Sequence, residues 1–379
     1  MQVPLLDLKR QYNSIKDEID AAIQRVVGSQ YFILGEEVES FEEEIAEYTS
    51  TKHAIGVASG TDALKLSLEA AGVGKGENDK VITTPFTYFA TAGSIVNAGA
   101  EPVFVDIKPD TFNIDPAKLE ELLTNNHSLQ TEVKAVIPVH LYGQMADMNP
   151  IMEIAEEYEL KVIEDAAQAI GAEYRGTKAG SIGDAGCFSF FPTKNLGGYG
   201  DGGMVVTDDD KIAEKTRMLR VHGSKERYYN EMMGYNSRLD AIQAAVLSAK
   251  LPHLGDWSEG RVENAAKYNE KIGSVPGIKT PEVAENRSHI YHQYTIRVTD
   301  GSRDQLKNFL DNQSIGNKIY YPVSLHKQGC FDGLNYETGG FPNSEKASED
   351  VLSLPIFPEL KEGEINFVCK QISNFMREN

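Results

Sequence analysis

The sequence is short of cysteine, of positive charge and of long apolar runs, and each shortage removes a class of protein. Three cysteines, Cys187, Cys330 and Cys369, stand far apart and odd in number. That fits reduced thiols and makes neither a disulfide framework nor a zinc knuckle. The eight histidines include no HExxH pair and none beside a CxxC, so no metal is expected. Lys and Arg number 37 against 57 Asp and Glu. The net charge of −20 sets the field of the whole molecule against nucleic acid and anionic membrane, while leaving room for a local basic pocket. The opening MQVPLLDLKRQY meets charge within a few residues and holds no unbroken apolar core. Neither a signal peptide nor a membrane span is expected from it, and a cytoplasmic location is. Phosphate-loop and nucleophile signatures are also missing: there is no GxGxxG after a strand, no GxxxxGKS/T and no GxSxG.

What is there is a chain of 379 residues, 41% hydrophobic, past the size at which one core stops growing. Residues 11–27 and 36–49 carry apolar positions at helical spacing on either side of GSQYFILG. From HAIGVASGTDALKLSLEAAGV onward, short Val/Ile-rich runs alternate with helical patterns through KVITTPFTYFATAGSIVNAG, EPVFVDI, VKAVIPVH and KVIEDAA. This rhythm predicts an α/β fold with a mostly parallel central sheet between helices. A helical pattern over 237–251 closes the region, and the texture then changes to HQYTIRV, GSRDQLKNFLDNQ, NKIYYPV and a terminal helix. Residues 1–255 are expected to form a large α/β domain and 256–379 a smaller α+β domain, with the N-terminal helix packing on the smaller one.

Groups able to do chemistry fall at the predicted carboxyl ends of strands, where open parallel sheets place their ligands. In SGTDAL, Gly60 and Thr61 open a helix and offer free N–H groups and a hydroxyl to an anion. The same letters read equally as a helix cap from Ser59, Thr61 or Asp62. Asp165, in VIEDAAQAIGA, follows a buried strand and stands three residues before Gln168. It can cap the next helix, or hold a proton on a heterocyclic nitrogen, because charge pairing offsets its desolvation. Tyr88, in TPFTYFAT, offers either a stacking face or a core ring. Lys194, in SFFPTKNLGGYGDGG, follows stiff residues and precedes glycines that let backbone approach closely. A Schiff base between Lys194 and the aldehyde of pyridoxal 5'-phosphate would use the anion-binding turn, the acid and the aromatic ring together. Taken singly, each residue keeps its local capping or packing alternative.

The segment VIEDAAQAIGAEYRGTKAGSIGDAGCFSFFPTKNLGGYGDGGMVVTDD resembles the core of the DegT/DnrJ/EryC1 nucleotide-sugar aminotransferases, within the fold-type I pyridoxal phosphate enzymes. The likeness runs nearly end to end, through LDL at Leu6, YFILGEEVESFEEEIAEY, VASGTDALKLSLEA, VHLYGQMADM, GYNSRLDAIQAAVL, YYPVSLHKQ and SLPIFPEL. It implies that Lys194 forms the internal aldimine and that Asp165 pairs with the pyridine nitrogen. It places Gln168 near the ring hydroxyl, Tyr88 on the ring, and Gly60, Thr61 and Ser189 on the phosphate. It also implies a homodimer with shared sites, in which Asn236 of GYNSRLD reaches the neighbouring subunit's phosphate. Read locally, Asn236 is a helix cap, and the two roles are compatible. L-Glutamate is the implied donor and 2-oxoglutarate its product. Dehydratases that share the cradle replace the lysine, typically with histidine, whereas this position is Lys194.

The implied acceptor is a nucleotide-linked ketosugar, aminated at C3 rather than C4 on the resemblance of LYGQMAD, FFPTKNLGGYGDGG and YYPVSLHKQ. Lys225 and Arg227 of HGSKERYYNEMMGYN, with Tyr321 and His326 of YYPVSLHKQ, are the implied substrate contacts. Read alone, the 222–236 stretch is a solvated, charged loop. ERYYN and YGDGG resemble enzymes for UDP-2-acetamido-3-keto-glucuronate, whose carboxylate Arg227 could meet bidentately. VHGSK instead resembles enzymes for dTDP-3-keto-6-deoxyhexoses. A cofactor-free sugar-binding or regulatory protein of the same fold is the alternative from another class.

Overall fold

The computed structural model describes residues 1–226 and 228–378. Its centre is a seven-stranded sheet of β1 (His53–Val57), β2 (Lys80–Thr83), β3 (Glu101–Phe104), β4 (Val133–Val136), β5 (Lys161–Asp165), β6 (Ala185–Ser189) and β7 (Gly203–Thr207). The spatial order is β1-β7-β6-β5-β4-β2-β3. β7 runs against both of its neighbours, and the remaining pairs are parallel. The strands are buried nearly throughout and lack in/out alternation because helices cover both faces. This is the fold-type I arrangement, and it brings the ends of β1, β2, β5 and β6 to one edge.

Helical spacing puts apolar side chains on the inward stripe of each covering helix. α1 (Leu8–Ser14) is short, α2 (Lys16–Ser29) buries Ile19, Ala22 and Val26, and α3 (Glu36–Thr49) buries Val38, Phe41 and Ile45. α4 (Gly60–Ala70) leaves β1, α5 (Ala90–Asn97) follows β2, and α6 (Ala241–Lys250) lies beyond β7. Each fully buried Ile, Leu or Val adds about 1.5–3 kcal/mol of transfer free energy, and the main cluster, from Val26 to Ile290, gathers many such residues.

A second cluster gathers Tyr268, Ile272, Tyr294, Ile296, Leu306, Leu352, Val368 and Ile372. It is built on a three-stranded antiparallel sheet of β8 (Ile278–Lys279), β9 (Tyr294–Val298) and β10 (Val351–Leu354). α7 (Leu254–Ile272), α8 (Arg303–Asn312) and α9 (Glu362–Glu378) pack on it, and the stacked rings of Tyr268 and Tyr294 lie 4.8 Å apart. α7 joins the two clusters, with Leu254 in the first and Ala265, Tyr268 and Ile272 in the second. The N-terminal segment divides between them. Val3 bridges to Ile315 and Arg10 forms a bidentate pair with Glu364, whereas Ile15 and Ile19 pack with Val246 and Trp257. The extended start of the chain and Arg10 of α1 thus reach the second cluster, while α2 packs through Ile19 with Val246 and with Trp257 at the start of α7. No helix of the described residues is long and apolar enough to cross a membrane.

Candidate active site

At the end of β1 the chain turns sharply into α4. Ser59 caps the helix by accepting the Asp62 N–H at 3.1 Å, and Ser237 donates to Asp62 Oδ2 at 2.7 Å while accepting the Ala58 N–H. The first N–H groups of the helix, those of Gly60 and Thr61, have no intrahelical acceptor and lie at the positive end of its dipole. Gly60 is pressed against the end of β6, where a Cβ would stand 2.6 Å from Ser189 Cβ. Capping therefore falls to Ser59 and leaves the first backbone N–H groups of the same turn without an intrahelical partner.

Asp165 ends β5 and is 6% exposed. Its Oδ2 accepts from the Thr91 hydroxyl at 2.7 Å and its Oδ1 from the Ala167 N–H at 3.2 Å. Burial pushes its carboxyl above the usual range, and these donors with the Lys194 charge offset only part of that rise. Gln168, one short turn further, is held at both ends of its amide: Oε1 accepts the Tyr142 N–H at 2.8 Å and Nε2 donates to the Tyr321 hydroxyl at 2.9 Å. Tyr142 adopts the left-handed conformation, with φ 59°, which aims that N–H at Gln168. Tyr321 lies 6.3 Å from Tyr88, ring to ring, and Tyr88 itself is 61% exposed. Core packing is not the role of Tyr88.

Lys194 sits in the loop between β6 and β7, its N–H bonded to the Phe191 carbonyl at 2.8 Å. Burial pushes its amine down to about 8, with the Asp165 charge opposing the shift. Ser189, Gly60, Asp165, Lys194, Gln168, Tyr321 and Tyr88 are thus linked by contact or charge along one sheet edge.

The other sequence-derived residues stand apart from this group within the protomer. Asn236 is exposed and lines a hollow of about 400 Å³ with Ala58, Gly200, Arg238 and Gln243. Lys225, on the short strand Ser224–Glu226, is exposed and pairs with Glu214, while Arg227 lies outside the described residues. His326 is buried, its ring 4.7 Å from that of Phe341 and its Nε2 3.2 Å from Glu345 Oε1. Burial lowers its pKa and Glu345 opposes the change. The segment still touches the site edge, since the Leu325 N–H donates to the Pro85 carbonyl at 2.7 Å. Thr91, Tyr142 and Arg238 escaped the sequence reading. Among the described residues, no group of three or more His, Cys, Asp or Glu is placed to hold a metal ion.

The chain is 53% identical over 379 residues to a pleiotropic regulatory protein of Geobacillus stearothermophilus, covering 100% of this chain and 99% of that one. It is 43% identical to the UDP-N-acetyl-3-dehydro-alpha-D-glucosamine 3-aminotransferase of Acidithiobacillus ferrooxidans, over 96% of this chain and 95% of that enzyme. The crystal structure of Streptomyces venezuelae DesV in complex with a ketimine intermediate superposes with a TM-score of 0.94 at 41% identity, covering 99% and 98% of the two chains. Residues 13–373 match the DegT/DnrJ/EryC1/StrS aminotransferase family. With that match spanning nearly the whole chain, the protein belongs to the DegT/DnrJ/EryC1/StrS aminotransferases, pyridoxal phosphate-dependent enzymes that act on nucleotide sugars.

Proposed function

We propose that this chain, as a homodimer with shared sites, transfers the amino group of L-glutamate to C3 of a nucleotide-linked 3-keto sugar. The observation that carries the reading is Lys194, an amine pushed down to about 8, held electrostatically against the buried Asp165. The donor set fits pyridoxal phosphate. Asp165 has two neutral donors and room in its charge balance for a protonated ring nitrogen. The free N–H groups of Gly60 and Thr61, beside the Ser189 hydroxyl, suit its phosphate. Tyr88 supplies a ring face, and Gln168 with Tyr321 a polar group at the ring hydroxyl. Bound there, the cofactor supplies a carbonyl for amine exchange and an electron sink. Lys194 is the base that holds and returns the proton at the substrate carbon, and an amine near pH 8 suits proton transfer at neutrality.

The dimer reading is supported by the surface around Asn236. Tyr31, Phe32 and Ile33 are 63%, 38% and 44% exposed. They are tied to that surface by the Ala241 N–H to Phe32 carbonyl bond and by the Ile33–Asp240 bridge. Burying this apolar strip against a second copy would bring Asn236 to the interface, in a hollow where the cation of Arg238 is accompanied by Asp201 and Asp240.

UDP-2-acetamido-3-keto-glucuronate is the favoured acceptor, on Arg227 and the ERYYN stretch; the VHGSK stretch favours a dTDP-3-keto-6-deoxyhexose instead. The test is reverse transfer: UDP- and dTDP-linked 3-amino sugars are offered with 2-oxoglutarate and glutamate formation is followed. Turnover of the UDP-3-amino-uronate, lost in Arg227→Ala, is the expected result. Turnover of only the dTDP sugar reverses the order, and turnover of only 4-amino sugars ends the C3 assignment. A chain that never takes up the cofactor would favour a regulatory role of the kind the Geobacillus relative's name describes.

A further inference from the structure

Helix α6 contacts the lysine loop through two side chains. Gln243 and Lys250, seven residues apart and so on one face, both reach residues 197–199. Gln243 Oε1 accepts the Tyr199 N–H at 2.6 Å, and Lys250 Nζ donates to the Gly197 carbonyl at 2.7 Å while lying 4.4 Å from the centre of the Tyr199 ring. Lys250 is 1% exposed. Burial pushes its ammonium down to about 8, with no acidic group among the described residues opposing the shift.

Such a cation is costly. An ammonium taken from water without a counter-ion loses several kcal/mol, which one carbonyl and one ring face offset only in part. A lysine ending a helix normally runs its stem outward and keeps its head in water, whereas this one turns inward to a single carbonyl. That carbonyl belongs to a tightly folded turn. A Cβ on Gly197 would stand 2.4 Å from the Pro192 carbonyl, so the chain doubles back over the residues just before Lys194. The Gly198 N–H donates to the Phe190 carbonyl at 2.8 Å, and the Lys194 N–H to Phe191. Fixing Gly197 therefore fixes the turn over 190–198 that carries Lys194. The loop's other flank is tied separately, through Asn195 to His292 Nδ1 at 3.1 Å.

We propose that Lys250 is a positioning residue: its ammonium, acting through the Gly197 carbonyl, holds the 190–198 turn so that the Lys194 amine stays beside Asp165. The inference rests on the reading of Lys194 as the residue that binds the cofactor covalently. Its effect is on attachment and proton transfer by Lys194 and not on the stability of the fold.

The experiment compares wild type, Lys250→Met and Lys250→Arg, each stripped of cofactor and then titrated with pyridoxal phosphate. Three quantities are read: the affinity from the visible absorbance, the rate of the borohydride-trapped adduct located by peptide mass, and the thermal midpoint of the cofactor-free protein. Displacing a reacting group by a fraction of an ångström costs about tenfold or more. Lys250→Met should therefore load at least about tenfold more weakly or slowly, with a cofactor-free midpoint at or above wild type. Lys250→Arg, which can reach the same carbonyl, should recover most of that loss. Wild-type loading by Lys250→Met overturns the proposal, as does a loss of loading that only parallels a fall in the cofactor-free midpoint. Should Lys250→Met not fold, Lys250→Gln, a neutral donor of similar reach, is judged by the same two criteria. Absence of an adduct at Lys194 in wild type would defeat the cofactor reading instead, and so separates the two failures.

Discussion

Two adjacent carboxylates at the end of β5 point to opposite faces of the sheet and meet opposite surroundings. Glu164 is fully buried and saturated. Its oxygens receive His140 Nε2 at 2.8 Å and the N–H groups of Gly180, Ile182 and Gly183 at 2.7–2.9 Å. The Ala146 N–H donates to His140 Nδ1, which fixes the ring so that Nε2 carries the hydrogen. Burial opposes ionisation of Glu164, yet His140 and the amides overcome it and its pKa falls below the usual range. Asp165 has one hydroxyl and one amide, and burial wins. A carboxylate with all its partners is scaffold, tying β5 to the 180–183 turn. One left short of donors beside a desolvated amine is able to take a cationic ligand.

The sharpest way to break this contrast is to remove the amine. Lys194→Ala should abolish the borohydride-trapped adduct and lower transfer from glutamate by at least about a thousandfold, since no other amine along the described site edge is placed to supply both functions. An adduct that persists in this variant, located on another lysine, would defeat the assignment.

The two carboxylates should then answer oppositely to neutralisation. Asp165→Asn is expected to lower turnover by about a hundredfold or more through loss of the charge that keeps a ring nitrogen protonated, while the cofactor-free protein unfolds at the same or higher urea. Glu164→Gln should do the reverse. It sets an amide against three N–H donors in a sealed site and should cost about 2–4 kcal/mol of stability, with a smaller effect on the chemistry of whatever remains folded. If both variants lose stability equally and activity equally, the distinction between scaffold and site has no content.

The amine itself has a pH signature. With a pKa near 8, about a tenth of Lys194 is neutral at pH 7, against about one part in three thousand for an unperturbed lysine. Labelling of Lys194 in the cofactor-free protein should be half-maximal near pH 8. The linkage runs the same way. The unfolded chain binds a proton that the folded one has lost between about pH 8 and 10.5, so stability gains with rising pH across that window. Lys250 titrates over the same range, so Lys194→Met should remove about half of their joint contribution and leave the remainder. An unchanged slope in Lys194→Met would mean that the amine is not desolvated.

Sequence reading reached Ser189 only through the family resemblance and Lys194 through the stiff residues and glycines around it, whereas it reached Asp165 and Gly60 because each lies at the end of a strand whose position follows from local hydrophobic pattern. The seven-stranded sheet was legible for the same reason, since buried parallel strands read as short continuous apolar runs. Thr91 was not legible, because it reaches Asp165 only once the β2–α5 turn and β5 lie on the same edge. Lys250 was less so: at the end of an amphipathic pattern, a lysine reads as a surface residue favoured by the helix dipole, and only the fold of the 190–198 turn gives it an inward partner. His326 shows the converse, where a residue taken from a family motif is placed by the fold in a sealed contact with Glu345 and Phe341.

The smallest expected effects test whether the tightness of the site edge is local. Gly60 has ordinary helical backbone, so alanine there should gain up to about 1 kcal/mol of helix propensity. Its new methyl would nevertheless stand 2.6 Å from Ser189 Cβ and 3.2 Å from Ser189 Cα. The Cα has little room to retreat, because Ser189 is paired with Gly203 of β7. Overpacking of this kind costs about 1–3 kcal/mol, so Gly60→Ala should be destabilised on balance and should bind pyridoxal phosphate several-fold more weakly, because the two groups pushed apart are the ones that flank the phosphate site. Gly255, in the first turn of α7, has open space where a methyl would stand, with nothing within 4 Å. Gly255→Ala should therefore leave cofactor affinity unchanged and raise stability by about 0.5–1 kcal/mol. Urea unfolding and a cofactor titration on both variants decide it: equal affinities would show that the Gly60–Ser189 contact is ordinary packing rather than part of the phosphate cradle.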